Sequence, residues 1–65
     1  MRVIYNGYAA TIYGRSSLSV TDNEGREVFH TDERDRYLVV CDEQELRDFI
    51  KAVRKGEVGN VANGN

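Results

Sequence analysis

Cys41-Asp42-Glu43-Gln44-Glu45-Leu46-Arg47-Asp48-Phe49-Ile50-Lys51-Ala52-Val53-Arg54-Lys55-Gly56 decides the fold, because start, face and stop signals of one helix agree over a single stretch. Asp42 is placed to accept a hydrogen bond from a free first-turn amide, and Glu45, three residues on, can reach back to the amide of Asp42 as a capping box. Cys41 and Leu46 flank that cap as a hydrophobic staple. Leu46, Phe49, Ile50 and Val53 recur at i, i+3, i+4 and i+7, which gives one apolar stripe. Glu43 and Arg47 form an i, i+4 pair in the favourable order. Lys51, Arg54 and Lys55 suit the negative end of the helix dipole, and Gly56 supplies the C′ residue. A helix over 43–55 would span about 20 Å, enough to cross a small sheet.

Upstream of this helix the chain reads as strands. Asn6-Gly7 lies between two apolar-rich runs and signals a two-residue hairpin, since a type I′ turn needs positive φ at both central positions. That turn pairs Tyr5 with Tyr8, Ile4 with Ala9, Val3 with Ala10 and Met1 with Ile12. Met1, Val3, Tyr5, Tyr8, Ala10 and Ile12 then share the more apolar face, which is assigned to the core, and Arg2, Ile4, Ala9, Thr11 and Tyr13 take the other. After the turn cluster Gly14-Arg15-Ser16-Ser17, the run Leu18-Ser19-Val20-Thr21 alternates as a half-buried strand does. Asp22-Asn23-Glu24-Gly25 fits a type I turn closed by a left-handed glycine, returning the chain as Arg26-Glu27-Val28-Phe29-His30. The simplest register sets Val20 against Val28 and Leu18 against His30, which turns Phe29 to the face away from the helix unless a bulge intervenes. The mixed-charge run 31–36 reads as a solvated connection, and Tyr37-Leu38-Val39-Val40 as a short buried strand. With no proline in the chain, the turns depend on their glycines.

The sequence thus specifies an α+β fold: an antiparallel sheet of four to five strands, with hairpins at Asn6-Gly7 and Asp22-Gly25, covered on one face by a C-terminal helix. One domain is expected over 1–56, followed by a tail over 57–65 that has no period and should fray. A chain of 65 residues buries only about 60% of the surface its unfolded form exposes, so stability should be marginal. At 40% hydrophobic and 31% charged residues the composition is that of an ordinary globular domain. No apolar run approaches the roughly 20 residues of a membrane span. The first residues do not form a secretory signal, and a lone Cys41 forms no intrachain disulfide, so a cytoplasmic location is the default.

The net charge of −2 conceals a partition. Residues 20–48 hold ten acidic residues against four arginines, a net −6, while the flanking segments each carry +2. Free nucleic acid is a disfavoured partner for the acidic middle, since phosphates require neutralising Lys and Arg. A basic protein surface would be attracted instead.

Catalytic chemistry finds little material. One histidine, His30, and one thiol, Cys41, lie outside any nucleophile turn. Cys41 reads as a small buried hydrophobe beside the cap rather than as a thiol activated by the helix N-terminus. His30, Asp32, Glu33 and Asp35 form a loose set of oxygen and nitrogen donors, but no C-x-x-C, H-E-x-x-H or EF-hand spacing is present, and the interleaved Arg34 and Arg36 make this a solvated charged face. Gly14-Arg15-Ser16-Ser17 lacks the glycines and lysine of a phosphate loop. Tyr5, Tyr8, Tyr13 and Arg15 give an alternative reading as a base-stacking sheet, on a thin electrostatic footprint. No catalytic, metal or cofactor residue is assigned.

From Ser19 to Val58 the order strand, Asp and Gly turn, strand, acidic cap, then Glu45, Phe49, Val53 and Gly56-Glu57 resembles a family of small bacterial domains of unknown function, mostly actinobacterial and encoded beside helix-turn-helix regulators. The chain lacks the tryptophan that this family tends to carry on its helix, and inserts Thr31 to Val40. The resemblance implies a small partner-binding regulatory module, with no catalytic residue to carry over. The expectation is therefore a non-enzymatic bacterial or phage protein that binds another protein. Ile4, Tyr13 and Phe29 would be exposed on the sheet face opposite the helix, and Asp32, Glu33, Asp35, Arg47 and Asp48 would offer charge. An acidic inhibitor imitating nucleic acid through Asp22 to Asp48 is the competing reading. Homodimerisation through a sheet edge is a further expectation.

Overall fold

A computed structural model describes residues 1–58 of the chain. Four strands, β1 (Arg2–Tyr5), β2 (Tyr8–Tyr13), β3 (Ser17–Thr21) and β4 (Glu27–Thr31), form an antiparallel meander in the order β1-β2-β3-β4. A 3₁₀ turn over Arg34–Arg36 follows, then the helix α1 (Glu43–Arg54).

The first hairpin has the register that its turn dictates. Tyr5 faces Tyr8, Ile4 faces Ala9 and Val3 faces Ala10, with Asn6 at φ 54° and Gly7 at φ 82° in the type I′ turn. Gly7 is required twice over: its φ is left-handed, and a Cβ there would stand 3.1 Å from Cβ of Asn23 in the second hairpin turn. The second turn also closes as expected. Gly25 N–H donates to the Asp22 carbonyl at 3.0 Å, and Asp22 N–H to the Arg26 carbonyl at 2.9 Å.

The β3–β4 ladder departs from the simplest register. A bulge at Val28 sets Thr21 against Glu27 and Val20 against Phe29, and brings Leu18 opposite Thr31. The extra residue rotates the second half of β4 by one position, so Phe29 turns inward and is 3% exposed rather than solvent-facing. Phe29 meets Tyr37 and Phe49 edge-on, with ring centroids 5.1 Å away in each case. The pairing energy of this aromatic trio is available only in the bulged register.

One face of the sheet and the apolar stripe of α1 make the core. Val3, Ala10, Leu18, Val20 and Phe29 pack with Leu46, Phe49, Ile50 and Val53, and Leu38 joins them. Burying each of the larger aliphatics is worth about 1.5–3 kcal/mol. Leu38 arrives from a segment that is not a strand. Over 37–40 only Leu38 is buried, while Val39 is 88% and Val40 67% exposed. The backbone amides of this segment have a partner other than a neighbouring strand. Val39, Val40 and Cys41 N–H all donate to the Glu45 carboxylate, at 2.7, 3.0 and 2.6 Å. Glu45 therefore closes the preceding loop rather than the amide of Asp42, so half of the expected capping box is replaced by a three-amide clasp. The other half holds, with Glu45 N–H donating to Asp42 Oδ1 at 2.9 Å. Cys41 takes φ 58° inside the clasp and packs against the core as the staple requires.

The helix ends in a Schellman motif: Gly56 (φ 79°) donates to Val53 and Glu57 donates to Ala52. Val58 then packs against the core, and from residue 59 onward the expected tail lies outside the described residues. The connection over 31–36 is more than a solvated run. Arg34 is half-buried and ties the chain back to the β2–β3 turn, its backbone N–H on the Ser16 carbonyl and its guanidinium on the Arg15 carbonyl, both at 2.9 Å.

Candidate functional site

The helix and the segment leading into it, through Tyr37, Leu38 and Cys41, pack on one side of the sheet, which leaves the other face open. The strand registers arrange that face in rows. One row runs Ile4, Ala9, Thr21, Glu27 and the next Arg2, Thr11, Ser19, His30. Each has large side chains on the outer strands and small ones on the inner two. The result is a shallow trough floored by Ala9, Thr11, Ser19 and Thr21, of which Thr11 and Thr21 are half-buried while Ala9 and Ser19, at 7% and 9% exposed, are covered by their neighbours. Arg2 and Ile4 form one wall, and Glu27 and His30 the other. Tyr13, opposite Ser17 in a third row, stands at the end. Ile4 is 66% and Tyr13 44% exposed.

The β4 wall is an ordered polar array. The His30 imidazole has Tyr13 Oη 3.3 Å from Nδ1 and Asp32 Oδ1 3.2 Å from Nε2, with Glu27 Oε2 3.5 Å from Nδ1. Ser17 donates to Asp32 Oδ1 at 2.8 Å, and Ser19 donates to Glu27 Oε2 at 2.6 Å. With the ring neutral, one arrangement satisfies both nitrogens: Nε2–H donates to Asp32 and the Tyr13 hydroxyl donates to Nδ1. With the ring protonated, both nitrogens donate, to Asp32 on one side and to Glu27 or Tyr13 on the other. Two serines of β3 thus hold the carboxylates, and the carboxylates hold the imidazole. Five side chains from three strands, with Asp32 just beyond β4, are fixed in orientation on a surface otherwise open to solvent.

The remaining expected site residues separate. Asp32 belongs to the array. Phe29 belongs to the core and offers nothing to a partner. Glu33 pairs with Arg36 at 3.3 Å and Asp35 is exposed on the 3₁₀ turn. Arg47 bonds Glu43 at 2.6 Å, and Asp48 accepts from Gln44 at 3.2 Å on the polar side of α1. Among the described residues no group of three His, Cys, Asp or Glu side chains is placed to hold a metal ion. The tyrosines of the base-stacking alternative are divided between faces. Tyr5 and Tyr8 lie against the core beneath Lys51 and Arg54, at 5.6 and 5.8 Å from the ring centroids, while Tyr13 is on the open side. They form no common platform.

Of the array, only Tyr13 and Asp32 were legible as site residues. Ser17, Ser19, Glu27 and His30 join through cross-strand register, which the Val28 bulge sets. Two carboxylates show a perturbed titration. Asp22 is held below its ordinary value by the Arg26 amide foremost and also by the Glu24 amide and the Arg26 side chain. Glu45 is lowered by the amides of Val39, Cys41 and Val40. Both serve loops rather than the trough. Among the described residues no helix is long and apolar enough to cross a membrane. Comparison of the chain with protein-family models, curated proteins and solved structures found no match.

Proposed function

We propose that the protein is a non-catalytic regulatory module that binds another protein in the trough on the uncovered sheet face. The observation that carries this reading is the combination of an open sheet face with side chains already oriented on it. Ile4 and Tyr13 supply exposed apolar surface, and the His30 array supplies donors and acceptors whose ordering entropy is met in the free protein. Outer strands of a four-stranded sheet stand about 14 Å apart, and an α-helix with its side chains is about 10–12 Å across. The half-buried Thr11 and Thr21 give such a helix a low floor to rest on. A helical segment with a small or apolar stripe, basic toward Glu27 and Asp32 and acidic toward Arg2, matches the walls.

Nucleic-acid mimicry draws less support from the charge arrangement. Asp22 and Glu24 pair with Arg26, Glu33 with Arg36, and Glu43 with Arg47, so acidic residues of the middle segment alternate with cations instead of forming a uniform acidic track. Binding in the trough, apolar at Ile4 and Tyr13 with a few charges at its walls, should weaken only modestly between low and high salt, whereas a mimic should lose affinity steeply.

Site-specific photo-crosslinking in the native host tests the reading. A crosslinker at Tyr13 should capture a discrete protein, and one at Gln44 on the polar side of α1 should not. With the captured protein purified, Thr11→Arg, which fills the trough, should weaken binding at least tenfold with the melting temperature unchanged. Capture only from Gln44, or an affinity indifferent to Thr11→Arg, would refute the proposal.

A further inference from the structure

We infer that the protein pairs with a second copy of itself along the free edge of β1, joining two four-stranded sheets into one of eight strands. This is independent of what occupies the trough. The parity of the β1–β2 ladder fixes which groups β1 offers. Ile12 N–H donates to the Met1 carbonyl at 2.8 Å and the Met1 amino group donates to the Ile12 carbonyl at 3.2 Å, so these residues are a bonded pair. Bonded pairs alternate along an antiparallel ladder. Val3–Ala10 and Tyr5–Tyr8 are therefore bonded pairs too, and the N–H and C=O groups of Arg2 and Ile4 point outward. Among the described residues no backbone group pairs with them.

These outward groups flank Val3 symmetrically, which is the pattern a two-fold axis needs. An axis at Val3 sets Arg2 against Ile4 of the second copy and Ile4 against its Arg2. Each pair exchanges two backbone hydrogen bonds, and the two Val3 residues meet as a non-bonded, β-branched pair on the core face. Arg2 is the one charged residue of β1, and in this register it lies against an isoleucine rather than its own copy. Its aliphatic stem would cover Ile4, which at 66% is, with Met1 at 61%, among the most exposed large apolar residues. The opposite edge does not offer this. β4 is interrupted by the Val28 bulge and carries Glu27 and His30, devices that blunt an edge, whereas β1 is regular. What favours a second copy is the side-chain register: the two-fold axis repeats the Arg2–Ile4 pair on both sides of Val3 and places no like charges opposite each other. Pairing also sets two troughs side by side on one continuous face, separated by a shared ridge of Arg2 and Ile4.

Sedimentation equilibrium of the full chain tests this directly. An interface of one strand pair is small, so the dissociation constant should fall between roughly 1 μM and 1 mM. The average mass should rise from 7.4 kDa toward twice that value as concentration increases. Ile4→Pro removes an outward N–H while leaving the β2 ladder intact, so it should keep a cooperative melt and remain a monomer. Val3→Cys in a Cys41→Ala background should oxidise to a symmetric disulfide, because non-bonded antiparallel residues sit about 4.5 Å apart at Cα. Arg2→Cys in the same background should not. A monomer at about 1 mM, a dimer unaffected in folded Ile4→Pro protein, or crosslinking through Arg2→Cys but not Val3→Cys would each overturn the inference. Should Ile4→Pro fail to fold, the two cysteine variants decide the matter.

Discussion

Phe29 and Glu45 are the residues whose roles most exceed what their neighbours in sequence disclose. Phe29 is core because one inserted residue, Val28, turns it inward. Phe29→Ala should remove about 3–5 kcal/mol, enough to unfold a domain of this size at room temperature, while Ile4→Ala should change stability by less than about 0.5 kcal/mol. Denaturant melts of the two variants check this contrast. Glu45 is legible as a helix-cap residue, yet its carboxylate serves three amides of the preceding loop. Its folded pKa lies below the ordinary 4.5 chiefly because the Val39 amide, then those of Cys41 and Val40, favour the ionised form. The unfolded chain therefore takes up a proton at higher pH than the folded one. The stabilisation is fully present above pH 4.5 and is lost as pH falls through the lowered folded value. Glu45→Gln should lower the melting temperature at neutral pH and flatten its decline below about pH 4.5. Asp22, also lowered from its ordinary 3.8, leaves a residual slope of the same sign. Parallel acid limbs in thermal melts of parent and variant would contradict the clasp.

At the scale of elements, legibility followed how local the determining physics is. The first hairpin and the helix could be read because Asn6-Gly7 fixes a register by backbone geometry and because cap, stripe and stop in 42–56 are all short-range. Gly25 belongs with them. No atom lies within 4 Å of a Cβ built there, so Gly25→Val should cost about 1–2 kcal/mol through its left-handed φ alone. A melting temperature equal to the parent's would contradict that. Asp42→Ala should cost about 1 kcal/mol by exposing a first-turn amide, seen in the same melts. The segment 37–40 reads as a strand because an apolar run alone does not distinguish a strand from a loop whose amides are clasped by a side chain, here that of Glu45 four to six residues on. Periodicity places Val28 and Phe29 on opposite faces and the simplest register turns Phe29 outward, which the bulge in β4 reverses. The aromatic trio with Tyr37 and Phe49 decides it.

For the whole molecule, the apolar stripe of the helix is consumed by one sheet face, and the fold leaves the other uncovered. The β1–β2 half of the trough is legible from the Asn6-Gly7 turn, whereas the β3–β4 half and the His30 array are not, because they depend on a bulged register. The edge of β1 borders the open face, with Arg2 and Ile4 common to both, so self-pairing would leave the floor and the β4 wall of each trough to a partner while enclosing its β1 wall. The claim that the open face is the binding surface is tested most directly by amide chemical-shift mapping of the labelled protein titrated with its captured partner. Perturbations should concentrate on Ala9, Thr11, Tyr13, Ser19 and Thr21, with α1 unperturbed. Perturbations confined to Glu43, Arg47, Asp48 and Lys51 on the helix, with the trough silent, would contradict it.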